Sequence, residues 1–196
     1  MKAAILNAHV KKSIITIAGS IGSGKSSTAR ALANALGYQH FSSGDLMRAI
    51  AMERNLSIEA INAFPVDERR DIDEHIDNML RDLGEGEHLV IDSRMAFRWI
   101  PDSFKLFLHV DPETAAERIF AQITNDGRVG QSGSSIEEIR AATETRTEQE
   151  TARYRTLYGV DIYNESQFDL VIDTVGDDLS TVAATALAAY QTWHEG

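Results

Sequence analysis

At 196 residues the chain is long enough for one α/β domain with a properly buried core. A formal net charge of −11 argues against a broad nucleic-acid-binding face, and the lack of cysteine excludes disulfides, thiolate metal sites and a cysteine nucleophile. With 43% hydrophobic and 25% charged residues the composition is globular, and no apolar run approaches the length of a membrane span.

The N-terminal stretch AAILNAHV is short and interrupted by Asn7 and His9. It is followed by Lys11 and Lys12 without a small-residue cleavage site, so it reads as a lead-in to the first strand rather than a signal peptide. A cytoplasmic location is expected. SIITIA (13–18) is β-branched and bounded by Gly19, the pattern of a buried strand. After a glycine-rich turn, residues 25–36 read as a helix stopped by Gly37, and YQHF (38–41) as a short second strand. From 43 to about 84 the apolar spacing is helical, punctuated by Asn55, Pro65 and Gly84.

HLVID (88–92) and FKLFLHV (104–110) are further apolar strands. Asp111-Pro112-Glu113 opens a helix to about Gln122, with proline just inside its start. NDGRVGQSGSS follows as a loop, and Ser135 with Glu138 has capping-box spacing for a charged helix to about 156. FDLVID (168–173) and an amphipathic helix over 179–193 complete the pattern. Strands alternating with helices predict a three-layer α/β/α domain around a parallel five-stranded sheet.

Gly19-Ser20-Ile21-Gly22-Ser23-Gly24-Lys25-Ser26 matches G-x-x-x-x-G-K-[ST] in full, with Ser27 directly after it. Glycines let the backbone wrap closely around phosphate oxygens and aim successive N–H groups at them, at the positive end of the following helix. Lys25 is placed to reach the β- and γ-phosphates of ATP, and the Ser26 hydroxyl to ligate Mg²⁺. The motif sits between a strand and a helix, as a P-loop requires.

Ser42-Ser43-Gly44-Asp45-Leu46-Met47-Arg48 puts an arginine one turn into a helix, just after the second strand and at the ligand edge of a parallel sheet. Its guanidinium can grip a phosphate, or simply pair with a nearby acid on an exposed helix. Asp92 and Arg94 project from the carboxyl end of HLVID, where open sheets bind ligands; Asp92 could hold Mg²⁺ through water. An acceptor that is itself a phosphate ester is already largely ionised near neutral pH, and calls for cationic clamps more than a general base. A hydroxyl acceptor would call for a carboxylate, and Asp45 keeps that alternative open. Arg146 and Arg153, seven residues apart, share a helix face that could close over the phosphates. The same helix also reads as a solvated face, with Arg140–Glu144 and Arg146–Glu150 pairs worth roughly a few tenths of a kcal/mol.

GSIGSGKSS, SSGDLMR, VIDSRMAFRW, TRTEQETARYRTLYGVD and FDLVIDT together resemble the short, archaeal-type cytidylate kinases and their relatives, from about Thr16 to Thr174. The resemblance implies a P-loop NTPase core with strand order 2-3-1-4-5 and a single kinase domain. It further implies an acceptor-binding arm near 42–84 and a lid near 124–155. By the same resemblance Arg48 and Arg94 bind the phosphate of a pyrimidine nucleoside monophosphate, most closely CMP or dCMP, and Arg146 and Arg153 serve the lid; Ser43, Asp45 and Asp161 are candidate acceptor-side residues in the matched segments, the role of Asp161 being open. ATP and Mg²⁺ are the implied cofactors; small molecules, not nucleic-acid polymers or membranes, are the implied partners. The chain departs from the family in carrying Asp92-Ser93-Arg94 where acid-Gly-Arg is usual, and in its longer glycine-rich loop. A kinase for a small alcohol and a nucleotide-dependent switch remain as other readings; the switch lacks a base-reading Asn-Lys-x-Asp element.

Replacing Lys25 by Met is expected to abolish phosphoryl transfer while leaving the circular dichroism spectrum and melting temperature near those of the parent. A comparable turnover rate in that variant would show that the cradle is misassigned.

Overall fold

The computed structural model describes residues 11–126 and 135–196; the N-terminal lead-in and most of the glycine-serine loop lie outside the described residues. Five strands form one parallel sheet: β1 (Ile14–Gly19), β2 (Gln39–Ser42), β3 (Leu89–Asp92), β4 (Phe104–His109) and β5 (Leu170–Asp173). Their order is β2-β3-β1-β4-β5. Every pairing is parallel, with Ile17 opposite Asp92 and Ser42 opposite Asp92 across the two ladders of β3. The carboxyl ends of β1, β2 and β3 therefore finish side by side.

Helices fill both faces. α1 (Lys25–Leu36) and α8 (Leu179–Glu195) pack on one side, where Ile15, Ile17, Leu106 and Leu108 meet Leu32, Ala186 and Tyr190. On the other side Ile14, Ala18, Ile91 and Phe107 meet Leu80 of α4 (Val66–Gly84), Phe97 of α5 (Ala96–Trp99), and Val160 and Ile162. Alternate β1 residues thus serve opposite cores, as the period of a strand demands.

Two smaller clusters attach the remaining helices. Ala51, Ile61 and Ile72 join α2 (Ser43–Glu53), α3 (Ile58–Ala63) and α4. Ile21 of the glycine-rich turn packs with Ala116 and Ile119 of α6 (Pro112–Asp126) and Ile139 of α7 (Ile136–Tyr158). The turn and the two helices beyond β4 thereby share one apolar contact.

The helical tract 43–84 is three helices rather than one. Asn55 takes a left-handed φ of 53° after α2, and Pro65 stands at the N-cap of α4. α6 and α7 run further than their apolar patterns reach, and Gly159 ends α7 with a left-handed φ of 65°. Ser135 caps α7 as its spacing predicts, its hydroxyl accepting from the Glu138 amide at 3.2 Å. α5, a single turn inside VIDSRMAFRW, has no signal in the periodicity. Among the described residues no helix is long and apolar enough to cross a membrane.

Phe107 lies at the centre of β4, 1% exposed, against the rings of Tyr163 and Phe168. Phe107→Ala should cost about 3–5 kcal/mol of folding stability, the range for truncating a buried aromatic ring. Urea unfolding monitored by fluorescence measures it; a loss below about 1 kcal/mol would mean that this core is loosely packed.

Candidate active site

The site is built on the turn between β1 and α1. Gly19 has a φ of 147°, and a Cβ there would lie 2.2 Å from the Leu108 carbonyl oxygen, so the chain passes β4 at backbone distance. Gly22, with a φ of 81°, passes Ala115 of α6 almost as closely. The Ser20 amide donates to Leu108 O at 3.0 Å and so pins the turn to the sheet. Ser23 is 2% exposed and its hydroxyl has no partner. A glycine-only backbone path ending on a helix N-terminus is the geometry in which amide groups converge on an anion.

Lys25 folds back on this turn, donating to the carbonyls of Gly19 at 3.1 Å and Ser20 at 2.8 Å. Burial, reinforced by the nearby Arg94 charge, lowers its pKa to about 7 despite the opposing pull of Asp92 and Glu150. Ser26 Oγ donates to Asp92 Oδ2 at 2.5 Å. A hydroxyl and a carboxylate so placed form an all-oxygen donor set beside the cradle. This suits Mg²⁺, which takes few protein ligands and keeps water and phosphate oxygens for the rest.

Facing the cradle across one cleft are Ser43, Arg48, Arg94, Arg146 and Arg153, which line it together with Lys25, Ser26 and Asp92. The cleft thus brings together the arginines and the cradle lysine read from the sequence. Arg48, at its rim, is half exposed and ion-paired with Asp45 on the same helix. Asp45 itself is 62% exposed and is not among the lining residues. Ser43 Oγ donates to the Asp92 carbonyl at 3.3 Å, tying the start of α2 to the end of β3. Asp161 also stands outside the lining: it accepts from the Tyr163 amide at 3.1 Å and from Arg155 at 3.2 Å, shaping the turn after α7.

The solvated-face reading of α7 holds for Arg140–Glu144, where both side chains are about half exposed, and fails for Glu150. Glu150 is 5% exposed and lies between two arginines from different elements. Arg146 Nε donates to its Oε1 at 2.9 Å. Arg94 Nε sits 2.7 Å from its Oε2, close enough for an ion pair but off the hydrogen-bond direction. Burial opposes the Glu150 charge, yet Arg94, Arg146 and Arg153 together hold its carboxyl below the ordinary range. Arg153 lies over the Tyr154 ring at 4.7 Å, with its buried Nε unpartnered.

A further wall had no signal in the sequence. Arg69 and Asp73 of α4 are both almost fully buried and paired at 3.1 Å, and Arg69 Nη1 donates to Asn62 Oδ1 at 2.6 Å. Asp77, one turn on, accepts from Trp99 Nε1 at 2.9 Å and Tyr158 Oη at 2.6 Å; burial raises its pKa against those two bonds. Asp73 Oδ2 is buried without a partner, and all four polar residues of this wall line the cleft. Charges at 69, 73 and 77 have the spacing of any solvated helix face, so only tertiary packing reveals them.

Residues 18–140 match a family model described as an AAA domain. The chain is 34% identical over 184 residues to a cytidylate kinase of Natronomonas pharaonis, covering 90% of each protein. It is 35% identical over 176 residues to a cytidylate kinase of Methanothrix thermoacetophila, covering 90% of this chain and 96% of that one. In fold it is similar to a shikimate kinase of Bacteroides thetaiotaomicron, with a TM-score of 0.60, 17% identity, and coverage of 91% of this chain and 98% of that one. A gluconokinase of Sinorhizobium meliloti gives a TM-score of 0.58 at 22% identity, with 95% of each chain covered.

With a pKa of about 7, Lys25 is mostly neutral at pH 8 in the free protein. A polyphosphate favours its ammonium form and raises that pKa, while phosphates with a second pKa near 6 bind already ionised. ATP binding at pH 8 should therefore take up close to one proton, measured by calorimetry in buffers of different ionisation enthalpy. Uptake should vanish in Lys25→Met; no uptake in the parent would mean that Lys25 is charged before the ligand arrives.

Proposed function

The chain belongs to the cytidylate kinase family, and on that premise we propose that it transfers the γ-phosphoryl group of ATP to CMP or dCMP. It is an ATP-dependent phosphotransferase. The observation that carries the acceptor assignment is the convergence of Lys25, Arg48, Arg94, Arg146 and Arg153 on one cleft. Two polyanions repel each other, and a cleft with cations on both sides is what allows them to meet.

In this reading the turn 19–26 and Ser27 cradle the ATP phosphates, and Lys25 leaves the Gly19 and Ser20 carbonyls for the β- and γ-oxygens. Ser26 and Asp92 hold Mg²⁺, which when bound neutralises charge on the phosphate oxygens. Arg48 and Arg94 bind the acceptor phosphate, and Arg146 and Arg153 stabilise charge on the transferring group. The acceptor oxygen is largely ionised at neutral pH, so no side chain has to remove a proton. Residues 42–84 act as the acceptor-binding arm and 124–155 as the lid of a single domain in the cytoplasm. Ser43 serves the acceptor by fixing the start of α2, and Asp45 and Asp161 act on arginines rather than on the substrate.

The wall of Arg69, Asp73 and Asn62 is assigned to the base. Cytosine presents an exocyclic amine where uracil presents a carbonyl, and a buried carboxylate oxygen without a partner accepts from the first and repels the second.

A coupled ADP-release assay across CMP, dCMP, UMP, AMP and GMP should show turnover confined largely to the cytidine nucleotides. Phosphorylation of a sugar or shikimate-like alcohol with none of these monophosphates would sink the assignment. In Asp73→Asn the preference for CMP over UMP should fall by roughly 10–100-fold, the worth of one hydrogen bond to a charged group. An unchanged ratio would place base reading elsewhere.

A further inference from the structure

Glu150 is an acid in the middle of an anion-binding cleft, where a carboxylate ordinarily works against the ligand. It is nevertheless among the most buried charged side chains of the described residues, 5% exposed, on the inner face of a 23-residue helix. Both of its ion pairs are made to Nε atoms: Oε1 with Arg146 at 2.9 Å and Oε2 with Arg94 at 2.7 Å. A guanidinium carries five N–H donors, and a carboxylate against Nε leaves the outer pair of nitrogens uncommitted to it. Arg94 comes from the end of β3 and Arg146 from α7, so this carboxylate links the acceptor side of the cleft to the arginine helix, alongside the Tyr158–Asp77 bond.

Resting on the kinase reading above, we infer that Glu150 is a positioning residue for phosphoryl transfer, holding Arg94 and Arg146 by their inner edges so that their outer nitrogens face the two phosphate groups. A mere stand-in for absent phosphate would sit at the outer fork and would need room to leave. Glu150 does neither: it lies against the Nε edges of both arginines, Arg94 at 2.7 Å and Arg146 at 2.9 Å, the second one turn away on its own helix. Its charge also opposes the effect of Arg94 and Arg146 on Lys25, helping to keep the cradle cation protonated. Removing the carboxylate leaves three arginines and a lysine in one buried space with only Asp92 and the base-side acids to offset them. Their mutual repulsion then splays the guanidinium groups, and misplacement by about 1 Å costs on the order of a hundredfold in rate.

The test is steady-state kinetics of Glu150→Gln, nearly isosteric, and Glu150→Ala, each alone and in an Arg94→Ala background, with CMP and ATP varied separately. The expected result is a kcat lowered roughly 10–100-fold, with a smaller change in either KM. The same substitutions should cost less in the Arg94→Ala background than in the parent, because part of their effect runs through that arginine and the rest through Arg146. If Glu150→Ala does not fold, Glu150→Gln carries the comparison, with its melting temperature recorded alongside.

Three results overturn the inference while the parent still phosphorylates CMP. One is an unchanged kcat in a folded variant, which leaves Glu150 a purely structural role. Another is an equal loss with and without Arg94. The third is tighter CMP binding with kcat preserved, which makes Glu150 a substrate mimic. A parent enzyme inactive on CMP overturns the proposed function itself, and this inference falls with it.

Discussion

Like charges cannot be packed into a crevice unless something holds them there, and this cleft gathers Lys25, Arg94, Arg146 and Arg153 in a chain of net charge −11. All of them but Arg153, whose buried Nε is unpartnered, have a named counterweight. Lys25 borrows two backbone carbonyls, Arg94 and Arg146 share Glu150, and Arg69 is matched by Asp73. Burial, with Arg94 beside it, still holds the Lys25 pKa at about 7. Cations buried by the fold gain more from an entering anion than solvated ones do, because their desolvation has been met by folding in advance.

The sheet makes this arrangement possible by ending three strands at one level. β1 delivers the cradle, β3 delivers Asp92 and Arg94, and β2 runs directly into α2 with Arg48 one turn in. The close pass of Gly19 along β4 and of Gly22 along α6 sets the height of the cradle above that edge. Ile21, between them, shares an apolar cluster with α6 and α7, so the arginine helix rests on the same support as the phosphate-binding turn. Cations from α1, α2, the bend after β3 and α7 can then face one volume.

The strands, the cradle and its lysine were legible because each has a short-range cause: a β-branched run, a glycine where φ must be positive, a helix start. The strand order was legible only through resemblance of whole segments, while Arg48 and Arg94 stood out by their places after strand ends and Arg146 and Arg153 by their shared helix face. What could not be read were features made by tertiary packing. Arg69, Asp73 and Asp77 repeat every four residues, as charges on a wet helix do, and only tertiary packing sets them apart, with Asn62 on Arg69 and with Trp99 and Tyr158 on Asp77. Glu150 has the spacing of a weak surface pair with Arg146; its weight comes from Arg94, 56 positions away in sequence. Asp45 and Asp161 lay in the matched segments, yet both spend their carboxylates on neighbouring arginines and backbone rather than on the cleft.

The likeness to shikimate kinase and gluconokinase, both under 25% identical, speaks to the fold and leaves acceptor chemistry to the residues. An alcohol acceptor must lose a proton as it attacks, so it needs a carboxylate free to take or orient that proton. Asp45, the candidate nearest Arg48, is turned to solvent and paired with that arginine. Asp92 is occupied by Ser26, Asp77 by Trp99 and Tyr158, and Glu150 by two arginines. Asp73 keeps a buried oxygen without a hydrogen-bond partner, and it stands on α4 paired with Arg69. An acceptor that arrives already ionised asks for none of these, only for cations to receive it, and cations are what the cleft supplies.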